Sequence, residues 1–138
     1  IAFNAALCFA QNNREGSPVA FFSLEMSAEQ LATRILSSES KISSDKIRRG
    51  EIRSEDFPTF VEISRTIHNV PLFIDDTPGL SIMALRNRAR RLKRQHNIGL
   101  IVIDYFQLLE SSSRKSGDNR VQEISEITRA LKGLAKEL

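Results

Sequence analysis

Cys8 is the only cysteine, so no internal disulfide can form, and this usage fits a reducing compartment. It lies among apolar neighbours with no histidine nearby in the sequence to activate it, which predicts a buried, unreactive thiol. Histidine is scarce as well. His68 and His96 have no ligand spacing between them, which argues against a metal site built on them. No stretch reaches the roughly 20 apolar residues needed to cross a bilayer, so no membrane partner is expected. The apolar opening from Ile1 to Ala10 is broken by Asn4 and follows no basic region, unlike a signal peptide, and a cytoplasmic location is the corresponding expectation. Internal repeats are absent, and no linker is long enough to divide the chain. Charge of one sign barely dominates. Twenty Lys and Arg against 17 Asp and Glu leave +3, which implies a nucleic-acid partner only where the basic residues cluster.

What is present suits one soluble globular domain: 138 residues, 41% apolar and 27% charged, enough to bury a core of useful size. Both ends fall inside helical patterns, so residues 1–138 are expected to be part of a longer domain, cut short at each end. Residues 1–12 read as a helix closed by the turn-forming run from Asn12 to Pro18. Val19-Ala20-Phe21-Phe22 reads as a buried strand. Ser27-Ala28-Glu29-Gln30 matches a capping box and opens a helix with Leu31, Ile35 and Leu36 on its apolar face. A short helix from Ser44 to Arg49 stops at Gly50, and another follows Ser54 with Phe57, Phe60, Val61, Ser64 and Ile67 on one side. Pro58 must then fall in that helix's first turn. Leu72-Phe73-Ile74 is a second strand, and Ser81 caps a helix with an inner stripe of Ile82, Leu85, Ala89 and Leu92. Leu100 to Ile103 places four aliphatics in a row before Asp104, as a parallel strand covered on both faces requires. The last helix is expected to turn Val121, Ile124, Thr128, Leu131, Ala135 and Leu138 inward. Strands alternating with helices predict an α/β fold with a mostly parallel sheet.

In such sheets ligands sit beyond the carboxyl ends of the strands, and acidic residues fall there: Glu25, the pair Asp75 and Asp76, and Asp104. Four aliphatics followed by Asp104 form the Walker B arrangement, whose carboxylate holds magnesium against nucleotide phosphates, usually through water. The same pattern also serves simply to cap a turn or helix. Glu25, beside the expected phosphate site, has the chemistry to orient and deprotonate an attacking water. Its alternative is to sit just ahead of a capped helix, favoured by the helix dipole.

Four blocks carry a resemblance that weighs on this choice. They are Phe22-Ser23-Leu24-Glu25-Met26-Ser27, the run from Ile74 to Leu80, the run from Leu100 to Leu109, and the closing segment from Gln122 to Lys132 with Leu134 to Leu138. Together, and in this order, they resemble the DnaB family of hexameric replicative DNA helicases over nearly the whole chain. The resemblance implies a RecA-like three-layer motor that hydrolyses ATP with Mg2+ while moving along single-stranded DNA. It implies a homo-hexamer that meets a primase and a helicase loader. On matching positions Glu25 resembles the catalytic glutamate, Asp104 the Walker B aspartate, and Arg34 an arginine placed near the nucleotide. Asp75 and Asp76 match the family without a chemical step, and a structural role in the turn is expected of them.

Family loops at the level of residues 111–118 face the central channel, so Arg114, Lys115 and Arg120 are candidates for gripping DNA phosphates. No aromatic residue is interleaved there to stack on bases. The denser run Arg86, Arg88, Arg90, Arg91, Lys93 and Arg94 occupies the faces left over by an apolar stripe and reads as a solvated helix surface. Two rival readings stand beside the helicase. Another RecA-like ATPase, of recombination or repair, would share Asp104 and a glutamate near Glu25, but the blocks around Thr77-Pro78-Gly79 and Tyr105-Phe106-Gln107 favour the helicase. A phosphoacceptor signalling domain would need its acidic pair after the first strand and a lysine after a later one, an order this chain does not follow.

The sequence contains no Gly-x-x-x-x-Gly-Lys-[Ser/Thr] loop to cradle phosphates, and the family places that loop just ahead of the first helix. The glutamine sensor, main DNA loop and arginine finger would lie beyond Leu138. The isolated 138-residue chain is therefore expected to hydrolyse no ATP, and Mg2+-dependent phosphate release by the purified chain would contradict this.

Overall fold

Three short apolar runs become three parallel strands: β1 (Val19–Ser23), β2 (Leu72–Asp75) and β3 (Leu100–Asp104). They are seen in a computed structural model that describes residues 2–12, 17–106, 109 and 120–138. The spatial order is β2-β1-β3, so β1 is central and pairs with both neighbours. Val19 lies opposite Leu72 and Leu100, and Phe22 opposite Asp75 and Ile103. In a parallel sheet covered on both faces, successive residues of one strand point into different cores. Val19 and Phe21 enter one core while Ala20 and Phe22 enter the other, and all four are buried.

Helices supply the outer layers. On the first face lie α1 (Ala2–Asn12), α2 (Ala28–Ser40) and α4 (Phe57–His68), whose Ala6, Leu7, Ala10, Leu31, Ile35 and Ile67 pack with Leu72, Ile74, Leu100 and Val102. On the second face lie α5 (Ile82–His96) and α6 (Arg120–Glu137), where Leu85, Ala89, Ile127 and Leu134 meet Phe22, Phe73, Ile101 and Ile103. The short α3 (Ser44–Arg49) has no buried residue and links α2 to α4. The result is the α/β fold with a parallel sheet that the alternation of strands and helices predicts, in the three layers that the resemblance implies.

Local chemistry sets where the helices start and stop. The Ser27 hydroxyl accepts from the Gln30 N–H at 3.2 Å while the Gln30 side-chain carbonyl accepts from the Ser27 N–H at 3.1 Å, a complete capping box. Ser81 Oγ accepts from the Ala84 N–H and starts α5. Gly50 ends α3 in the left-handed region at φ +71°, where a side chain would be strained. Pro58 lies in the first turn of α4, as its missing N–H requires.

Three expectations need correction. Cys8 is exposed, because the 3.6-residue repeat that turns Ala6, Leu7 and Ala10 inward carries Cys8 outward. On α4, Phe57 is 55% exposed and Ser64 is also exposed, while Phe60, Val61, Ile63 and Ile67 are half-buried. The inner stripe of α6 is centred on Ile127 and Leu134, with Ile124, Leu131 and Leu138 half-buried beside them. Val121, Thr128 and Ala135 fall outside it. A heptad register drawn through Val121 is offset because leucine and isoleucine, not alanine and threonine, win the contact with the sheet. Ile127→Ala is accordingly expected to cost about 3 kcal/mol in urea unfolding, and Val121→Ala, at 74% exposure, to change stability by less than about 0.5 kcal/mol.

Candidate functional site

The register of β1 on β3 sets Ser23 opposite Asp104, and the Leu24 N–H donates to the Asp104 carbonyl at 2.9 Å. Glu25 follows one residue later. The two candidate acids therefore emerge at the same carboxyl edge from adjacent strands. Asp104 is half-buried and Glu25 exposed. Neither carboxylate has a hydrogen bond or ion pair among the described residues. Between them the chain folds tightly: Ser23 Oγ donates to the Met26 carbonyl at 2.6 Å, which turns the segment toward α2. The peptide bond from Asp104 to Tyr105 is cis.

The acids at the end of β2 behave differently. Both oxygens of Asp75 lie 2.6 Å from Arg88 Nη1 on α5, and Asp75 also accepts from the Thr77 N–H at 3.2 Å. Arg88 donates to the Thr77 hydroxyl as well. Partial burial pushes the Asp75 carboxyl upward, but hydrogen bonds from Arg88 and Thr77 and the guanidinium charge outweigh it, and the pKa falls below 3.8. Asp76 Oδ2 accepts from the Ala28 N–H, the first of α2, at 2.8 Å. Both aspartates of the pair are thus engaged within the fold, the structural role expected of them.

Arg34 lies on α2 between the buried Leu31 and Ile35 and is itself exposed, without a hydrogen bond or ion pair among the described residues. Arg114 and Lys115 lie outside the described residues. Arg120 begins α6, and its side chain is likewise outside them. The basic run on α5 is more than a solvated face. Arg86 and Arg90 both bind Glu137 near the end of α6, Arg88 holds Asp75, and Lys93 Nζ donates to the Ile98 carbonyl at 3.0 Å. Hydrogen bonds from Arg90 and then Arg86 lower the Glu137 carboxyl to about 2. Arg91 and Arg94 remain exposed with no partner among the described residues. Sequence reasoning missed the roles of Arg88 and Glu137, since partners 13 and 47 residues apart leave no local signal beyond the crowding of arginines.

Among the described residues no three His, Cys, Asp or Glu side chains converge to hold a metal, and His96 is stacked on Phe73 with ring centroids 4.2 Å apart. No helix among them is long and apolar enough to cross a membrane. The Asp75–Arg88 pair yields a measurable consequence. Replacing Arg88 by Met removes the cation but leaves the burial and the Thr77 hydrogen bonds, so the Asp75 pKa is expected to rise from its wild-type value, read by carbon NMR of the carboxyl. Because the wild-type pKa is depressed on folding, the stability this pair adds is full above about 3.8 and is lost as pH falls through the folded value. A stability profile of Arg88→Met that matches wild type at all pH values would contradict the pairing.

Comparison with known proteins follows the same lines. The family model for the DnaB-like helicase C-terminal domain matches residues 1–138. The chain is 49% identical over 135 residues to the replicative DNA helicase DnaB of Rickettsia typhi, covering 98% of this chain and 27% of that protein. It is 44% identical over 135 residues to the replicative DNA helicase DnaC of Bacillus subtilis, covering 96% of this chain and 30% of that protein. Two solved structures superpose closely, both at 31% identity. One, an ATPase domain, gives a TM-score of 0.85 over 99% of this chain and 48% of its own. The other, a DnaB-like replicative helicase studied with its interactions with primase, gives 0.83 over 99% of this chain and 32% of its own. The chain thus spans about a quarter to a third of the curated helicases it matches. A RecA-like parallel sheet with its acids on one rim, matched over its whole length, makes this chain a member of the DnaB-like helicase C-terminal domain family.

Proposed function

We propose that residues 1–138 form part of the ATP-driven motor of a hexameric replicative helicase, which translocates on single-stranded DNA and unwinds the duplex ahead. The observation that carries this reading is the adjacency of β1 and β3, which brings Glu25 and Asp104 to one rim on neighbouring strands. Of the four acids at that edge, two are engaged within the fold and these two have no partner among the described residues.

The donor set fits a magnesium nucleotide. Mg2+ keeps several waters and binds through one or two carboxylates plus phosphate oxygens, not in an all-protein cage. One half-buried carboxylate, Asp104, with no three-acid cluster around it among the described residues, suits that demand. Bound with ATP, the ion would neutralise charge on the phosphates. Asp104 would hold it through water. Glu25, exposed and one strand away, would orient the attacking water and accept its proton. Arg34 would meet the nucleotide from α2. Arg114, Lys115 and Arg120 would grip backbone phosphates in the channel, giving salt-dependent, sequence-independent binding. A homo-hexamer, a primase and a helicase loader complete the proposed set of partners, and a cytoplasmic setting goes with them.

In the full-length helicase, Glu25→Gln is expected to lower ATP turnover about 100-fold or more while nucleotide affinity stays within a few-fold of wild type. Asp104→Asn is expected to raise the Mg2+ concentration needed for half-maximal turnover. Wild-type turnover by Glu25→Gln would overturn the assignment.

A further inference from the structure

The geometry points to Asp76 as a positioning residue for Glu25, a role that rests on the proposed function of Glu25. Glu25 is exposed, and its side chain has no hydrogen bond or ion pair among the described residues, so its placement comes from its backbone. That backbone is a short bridge between the end of β1 at Ser23 and the start of α2 at Ala28. Its first end is tied to β3 by Leu24 N–H to Asp104 carbonyl, 2.9 Å. Its second end carries the Ser27–Gln30 capping box, but that motif is local and says nothing about where α2 begins relative to the sheet.

The start of α2 is tied to the turn that follows β2 by one hydrogen bond among the described residues, Ala28 N–H to Asp76 Oδ2 at 2.8 Å, across 48 residues of sequence. The Ala28 N–H is one of the helix's unpaired donors, and a carboxylate there is favoured by the dipole. Asp76 is itself held in place, because its neighbour Asp75 is locked to Arg88 and Thr77. A continuous set of contacts therefore runs from α5 through Arg88 and Asp75 to Asp76, and across to the residue that ends the Glu25 bridge. With Oδ2 on the Ala28 N–H, Asp76 acts in this arrangement through Glu25, and the Mg2+ dependence of turnover separates that role from a contact with the metal.

The two sides of this hydrogen bond can be removed independently in the full-length helicase. Asp76→Ala deletes the acceptor. Ala28→Pro deletes the donor at the first helical position, where proline is well tolerated and Ser27, at φ −68° and ψ 155°, already has the backbone that precedes a proline. Each is expected to lower kcat about tenfold, with nucleotide Kd and the half-maximal Mg2+ concentration unchanged. Asp76→Asn, which retains an acceptor oxygen, should recover most of the loss. Combined with Glu25→Gln, neither change should slow turnover further, because both act through the group already removed. The tether is overturned if both variants turn over at the wild-type rate while Glu25→Gln is slow, if Asp76→Asn is as slow as Asp76→Ala, or if the losses multiply in the Glu25→Gln background. A shifted Mg2+ dependence in Asp76→Ala would assign the residue to the metal instead. Wild-type turnover by Glu25→Gln alone would overturn the Glu25 role and the tether together.

Discussion

Burial of β1 on both faces and along both edges is the constraint on which the rest of the molecule depends. Val19, Ala20, Phe21 and Phe22 are each no more than 1% exposed, and their backbones pair with β2 on one side and β3 on the other. Because the strand is parallel to both neighbours and register is set by which side chains face which core, every strand must end at the same rim. A shift of one residue would exchange the two cores, sending Phe22 to the α1 face and Phe21 to the α5 face. The meeting of Ser23 with Asp104, and of Phe22 with Asp75, is thus a consequence of apolar packing.

That rim gathers four acids, and the fold treats them unequally. Asp75 and Asp76 sit where α5 and α2 present a guanidinium and a helix N–H, so their charge is answered inside the molecule. Glu25 and Asp104 project where no described residue answers them. A carboxylate at the end of a buried strand requires a partner, and an acid that the fold does not satisfy is suited to meet one from outside. The division separates two acids engaged within the fold from two that no described residue engages.

The arginines of α5 follow the same logic on the opposite layer. Arg86 and Arg90, one turn apart, close on Glu137 and fasten the end of α6 over α5, while Arg88 faces the sheet and reaches Asp75. With the side chains of Arg86, Arg90 and Glu137 36–39% exposed, the α5–α6 pairs act as surface fasteners whose energy is small beside the Leu85, Ile127 and Leu134 packing beneath them. One helix thus anchors two neighbours through charges that a pattern of hydrophobic positions leaves unassigned.

Much of this was legible in the residues themselves. Runs of β-branched and aromatic residues announce the strands, Ser27 and Ser81 announce the helix starts, and Asp104 after four aliphatics announces the end of β3. Such features act within a few residues, so a linear reading captures them. The same reading placed Cys8 inside and drew the α6 stripe through Val121, because composition near a residue does not say which way a helix will roll onto a sheet. Arg88 on Asp75, Glu137 between Arg86 and Arg90, and Asp76 on Ala28 were decided only by tertiary structure. The physical reason is range. Propensity, capping and hydrophobic period are properties of neighbouring residues, whereas an ion pair or a tether spanning up to 51 positions exists only after the sheet has brought its ends together.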